Sequence, residues 1–190
     1  HKFYGPKGVG ALYINNKFRD KINSQIDGGG HEHGFRSGTL NVPAIVGMGK
    51  AAELTKSRMK LDQKHTGLLR DKLLEGLKNN IEGLTINGSM DHRLPNNLNV
   101  SFSGVDGDSL LINIDDIAVS NGAACSSTEK EPSYVLKALG INDKLANASI
   151  RFGIGRNNTI DEINYTVNKL KKVVEDLRSI EELKSEMSLS

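Results

Sequence analysis

Between Asn41 and Leu77 the apolar residues Ile45, Met48, Ala52, Met59, Leu73, Leu74 and Leu77 recur at helical spacing, with few breakers among them. Asn41 stands where an N-cap would, and Pro43 falls in the first turn, where its missing N–H costs nothing. The pattern predicts one long helix, bent near Gly67, around which every shorter segment has to be arranged.

Those shorter segments alternate in type. Leu84-Thr85-Ile86-Asn87 and Leu98 to Phe102 read as strands by alternation, and Asp108 to Ile114 as a short amphipathic helix leading to a strand-like Ile117 to Ser120. Ser133 to Leu139 reads as a helix stopped by Gly140, and Ser149 to Gly153 as a last strand. Thr159-Ile160-Asp161-Glu162 matches a capping box, opening a helix with Ile163, Val167, Leu170, Val174 and Leu177 on one face. The charged tail beyond Ile180 is expected to fray. The fold class is therefore α/β.

Ahead of the long helix the chain is rich in glycine. Gly5-Pro6-Lys7-Gly8-Val9-Gly10 reads as a turn feeding a short buried strand, Ala11-Leu12-Tyr13-Ile14. Gly28 to Thr39 is too glycine-rich for a regular element and too varied for a linker, so it reads as a functional loop. The opening residues are His1-Lys2-Phe3, with no initiator methionine, which suggests that a longer sequence has been cut.

A formal net charge of +2 in 190 residues, with both signs interspersed, gives no basic surface for nucleic acid. No apolar run approaches the length of a membrane span, and a signal-peptide pattern is lacking at the start, so a cytoplasmic location is the default expectation. The single cysteine, Cys125, cannot close an internal disulfide or build a thiolate-rich metal site. His31 and His33 flank Glu32 without the spacing of a helical zinc motif, and no metal is expected there.

By residue type alone, Lys2 is a surface charge, Cys125 an inert small hydrophobe and Arg151 a member of an ordinary ion pair. Context changes each reading. Cys125 lies in Ser120-Asn121-Gly122-Ala123-Ala124-Cys125-Ser126-Ser127, where small neighbours leave a thiol accessible. Four segments match one family in order. His1-Lys2 with Gly5 to Tyr13, the Gly28 to Thr39 loop, the Cys125 segment with its continuation Glu131 to Gly140, and Ala148-Ser149-Ile150-Arg151-Phe152-Gly153 together resemble the class V enzymes that use pyridoxal 5'-phosphate (PLP). They are most similar to the group I cysteine desulfurases of NifS/IscS type.

The resemblance implies a PLP-dependent transferase of fold type I. Residues 1–45 would end the large PLP-binding domain, 46–83 would be the connecting helix, and 84–190 the small C-terminal α/β domain with the cysteine loop. It implies that Lys2 bonds the cofactor and moves a proton at the substrate Cα, and that His1 and Thr39 help hold the phosphate, Thr39 that of a neighbouring subunit in a homodimer. Cys125 would take the sulfur of L-cysteine as a persulfide, Arg151 would receive the α-carboxylate, and alanine would leave. An iron–sulfur scaffold protein or another sulfur acceptor would be the partner. The match covers the second half of such an enzyme, so the 190-residue piece is expected to be inactive alone. A selenocysteine lyase, or a dimerisation or sulfur-relay fragment without cofactor, are the competing readings.

Overall fold

A computed structural model describes residues 1–121 and 132–187. The chain divides into two compact units, His1–Lys60 and Leu61–Ser190, with the division inside the long helix α1, Val42–Asn80. The helix begins as predicted: the Asn41 side chain accepts from the Ala44 N–H at 3.3 Å, and α1 passes through Gly67 without interruption.

The second unit is built on a sheet of three strands among the described residues, in the order β1 (Leu84–Ile86), β2 (Asn97–Phe102) and β3 (Ser149–Gly153). Both pairings are antiparallel, with Thr85 opposite Ser101 and Val100 opposite Ile150. Because side chains alternate along a strand, the sheet has two unlike faces. Leu98, Val100, Phe102, Ile150 and Phe152 form the buried apolar one, covered by Leu69, Leu73 and Leu77 of α1 and by Ile163, Val167, Leu170 and Val174 of α5, Ile160–Met187. The two helices approach closely: a β-carbon on Gly76 would stand 2.7 Å from Val167 Cγ2.

The opposite face carries Asn97, Asn99, Ser101, Ser149 and Arg151. Here Asn87, just past β1, donates from Nδ2 to Asn99 Oδ1 (2.7 Å) and Ser101 Oγ (2.8 Å). Ser101 and Ser149 share a hydrogen bond of 2.7 Å, and Ser149 donates to the Leu145 carbonyl at 2.8 Å. Buried polar groups of this kind are tolerated because each has a partner.

The short helices α2 (Gly107–Ile112), α3 (Tyr134–Ala138) and α4 (Asp143–Asn147) join these layers. Asp106 caps α2 through the Ser109 N–H at 2.8 Å, and Asn142 caps α4 through the Leu145 N–H at 3.0 Å. At the end of α3, Ile141 N–H reaches the Leu136 carbonyl (3.1 Å) and Gly140 N–H the Lys137 carbonyl (2.9 Å), with Gly140 at φ +79°. This is the Schellman arrangement that a glycine stop signals. The capping box also forms as read: Glu162 N–H donates to Thr159 Oγ1 at 3.3 Å, and Thr159 N–H to Glu162 Oε2 at 3.0 Å.

Three local expectations need correction. Ala11–Ile14 is not a strand, and Leu12 and Tyr13 are 76% and 86% exposed. An apolar run specifies a strand only where another strand accepts its backbone hydrogen bonds, and none of the described residues does so here. Among the described residues, Ile117 to Ser120 contributes a single bridge, at Ser120. The tail does not fray at Ile180, since α5 continues to Met187 through good helix formers and a Lys184–Glu181 pair at 2.9 Å.

Candidate active site

The first unit holds His1, Lys2 and Thr39. His1 and Lys2 sit in a turn closed by the Tyr4 N–H donating to the His1 carbonyl at 3.1 Å. Gly5 packs beside Met48 and Ala51 on the first half of α1. The side chains of His1 and Lys2 are exposed.

Thr39 follows the glycine-rich loop, which is held together from within. The Ser37 hydroxyl donates to the Gly29 carbonyl at 2.6 Å, its N–H to the Ile26 carbonyl at 3.4 Å, and Arg36 Nη1 donates to the Gly38 carbonyl at 3.3 Å. Glu32 and His33 turn through positive φ, at 51° and 55°. Ser37 is buried while Thr39 stays exposed, so the loop fixes its backbone and leaves the threonine hydroxyl available.

A cavity of about 880 Å³ in this unit is lined by Leu12, Ile14 and Ile45 together with Arg19, Glu32 and Arg36. His1, Lys2 and Thr39 are not among its lining residues.

PLP asks for a primary amine to bond its aldehyde, and for hydroxyl, imidazole and backbone donors around a dianionic phosphate. Lys2, Thr39 and His1 are an amine, a hydroxyl and an imidazole, all exposed in one unit. By chemical type these donors suit the group.

Arg151 belongs to the second unit. It lies in β3 with Asn99 of β2 as its cross-strand partner on one side and Ser120 on the other. The backbones of Arg151 and Ser120 exchange two hydrogen bonds, Arg151 N–H to the Ser120 carbonyl at 2.6 Å and Ser120 N–H to the Arg151 carbonyl at 3.3 Å. Arg151 is exposed, and its Nη2 donates to Ser120 Oγ at 3.4 Å. Arg156, its near neighbour in sequence, is committed elsewhere, to Asp62 at 2.8 Å.

A guanidinium on the polar face of a sheet, with donors to spare, can receive a carboxylate by two parallel hydrogen bonds. Cys125 lies outside the described residues.

Asn99 and Ser120 carried no role in the sequence reading. The alternation Asn97, Asn99, Ser101 does announce a polar face. Which residue of that face stands beside Arg151 depends on strand register, which alternation alone does not give.

Residues 1–166 match the model of the family described as Aminotransferase class-V. The cysteine desulfurase IscS of Haemophilus influenzae is 55% identical over 183 residues, covering 96% of this chain and 45% of that protein. The IscS of Anaeromyxobacter dehalogenans is 51% identical over the same coverage. Among solved structures, a NifS-like protein superimposes with a TM-score of 0.80 at 37% identity, over 93% of this chain and 45% of its own. The structure of SspA in complex with cysteine gives 0.60 at 29% identity, over 84% and 43%. The chain thus spans a little under half the length of the relatives it matches, and it belongs to the aminotransferase class-V family.

Proposed function

We propose that this chain supplies the sulfur-accepting part of a PLP-dependent cysteine desulfurase, which converts L-cysteine to L-alanine. The observation that carries this reading is the 51–55% identity to cysteine desulfurases over 96% of the chain. The structural likeness to SspA, whose solved complex contains cysteine, agrees with it. Residues 1–45 end the cofactor-binding domain, 46–83 connect, and 84–190 form the small domain that brings Cys125 and Arg151.

Each residue then has a chemical task. Lys2 is the amine that would bond PLP, and it carries a proton to or from the substrate Cα; His1 would donate to the phosphate of that cofactor and Thr39 to that of the neighbouring subunit. The cofactor, when bound, supplies an electron sink for the Cα carbanion. Arg151 holds the α-carboxylate in its fork and so orients the amino acid. The Cys125 thiolate attacks the substrate sulfur; the Cβ–S bond breaks, a persulfide forms on Cys125, and protonation of the remaining three-carbon unit yields alanine. The carbon gains the electron pair that the sulfur gives up, so the step needs no outside oxidant or reductant. The reading includes a homodimer, with Thr39 reaching the neighbouring subunit's phosphate, a cytoplasmic location, and an acceptor that is an iron–sulfur scaffold or a thiolation protein.

The test is made in the full-length protein. Wild-type protein with PLP and L-cysteine should form alanine and a persulfide in equal amounts in the first turnover. Cys125→Ala should form neither. Sulfide release by Cys125→Ala at the wild-type rate, with dithiothreitol as the only thiol, would overturn the assignment.

A further inference from the structure

Arg151 has a neighbour on each side of its strand, and the two are bonded differently. Its N–H and its C=O both go to Ser120. Its pairing with Asn99 is therefore of the kind without backbone hydrogen bonds, in which facing side chains stand closest. The Asn99 carbonyl instead accepts from the Asn87 N–H at 2.9 Å. Asn87, Asn99, Arg151 and Ser120 make one row across the polar face of the sheet.

The two neighbours of Arg151 in the row treat the guanidinium differently. Asn99 turns its carboxamide oxygen away, to Asn87 Nδ2 at 2.7 Å. Ser120 offers a hydroxyl oxygen, and Arg151 Nη2 donates to it at 3.4 Å. An exposed arginine has four rotatable side-chain bonds, and ordering it around a ligand costs rotamer entropy. A neighbouring acceptor that occupies one N–H lowers that cost and leaves the remaining donors of the fork for an anion.

We propose that Ser120 is a positioning residue for Arg151, holding its guanidinium in the orientation that receives the α-carboxylate of the amino-acid substrate. The inference rests on the desulfurase reading of Arg151 given above. Ser120 acts through Arg151 and takes no part in bond making. It stands five residues before Cys125 in the chain.

Steady-state kinetics of the full-length protein with L-cysteine test this. Ser120→Ala should raise KM about fivefold, the value of one ordinary hydrogen bond, with kcat within about twofold of wild type. Ser120→Thr keeps the hydroxyl and should restore KM. Arg151→Ala should raise KM more, and in that background Ser120→Ala should add nothing, because the group it positions is gone. A purely structural serine would show the same penalty in both backgrounds, and that result overturns the proposal, as does an unchanged KM in Ser120→Ala. Failure of wild-type protein to convert L-cysteine, or an Arg151→Ala variant with wild-type KM, would sink the functional reading, and the role of Ser120 with it.

Discussion

The backbone of Gly107 meets the backbone of Asn147 so closely that a β-carbon at position 107 would overlap the Asn147 carbonyl oxygen. Gly107 opens α2 behind its Asp106 cap, and Asn147 ends α4, so the contact joins two short helices beside the sheet. Carbonyl groups fixed in a helix end cannot rotate aside as a flexible side chain would.

Gly107→Ala is therefore expected to destabilise the protein although alanine is the better helix former. Helix propensity favours alanine by about 1 kcal/mol, while forced overlap in a packed site costs about 3 kcal/mol, so a net loss of roughly 2 kcal/mol should result. Urea unfolding should show a lower midpoint with an unchanged slope. A midpoint equal to or above that of wild type would show that the two helices separate without cost.

The capping box makes a prediction about acid. Hydrogen bonds from the Asn158 side chain and then the Thr159 N–H hold the Glu162 carboxyl below its ordinary value of 4.5. A carboxyl lowered in the folded state binds fewer protons there than in the unfolded chain, so stability rises with pH across that window. The contribution is complete above the ordinary glutamate range and is lost as pH falls through the lowered value. Glu162→Gln should flatten this part of the stability–pH profile relative to wild type, while leaving the profile near neutrality parallel. Thr159→Ala removes the hydroxyl partner and should cost about 1 kcal/mol at neutral pH. Thermal or urea unfolding between acid and neutral pH measures both.

Asn87 anchors the buried polar layer from which Arg151 emerges. Its carboxamide donates to Asn99 and Ser101 and accepts from the Ser101 hydroxyl at 3.2 Å. Its own carbonyl accepts from Arg93 Nη2. Asn87→Ala leaves Ser101 and Ser149 to each other, and removing one partner from a buried set costs about 2 kcal/mol. A second effect should accompany the first: amide hydrogens of β2 and β3 should exchange faster, since Asn99 loses the side-chain contact that fixes it. A variant with wild-type stability and unchanged exchange would show that the serine pair suffices.

Much of the second unit was readable in advance, because its signals are local. A capping box, a glycine stop after Leu139 and the spacing of Ile163, Val167, Leu170 and Val174 act within one or two helical turns, and each formed where the residues placed it. The run Ala11 to Ile14 was misread because a strand is a relation between segments, and its apolar residues alone do not supply a neighbour. The tail beyond Ile180 was misread in the other direction: its charges are helix formers spaced to pair along the helix, and α5 keeps them.

The residues of the proposed site divide along the same line. Lys2, Cys125 and Arg151 stand in segments that resemble a known family, so the sequence alone proposes them and the chemistry of amine, thiol and guanidinium. It could not say that Arg151 shares a row with Asn99 and Ser120, because residues 99, 120 and 151 meet only through antiparallel register. Residue type sets what a group can do; the pairing of distant strands decides which groups stand next to it, since backbone hydrogen bonds between segments fix positions that no local preference encodes.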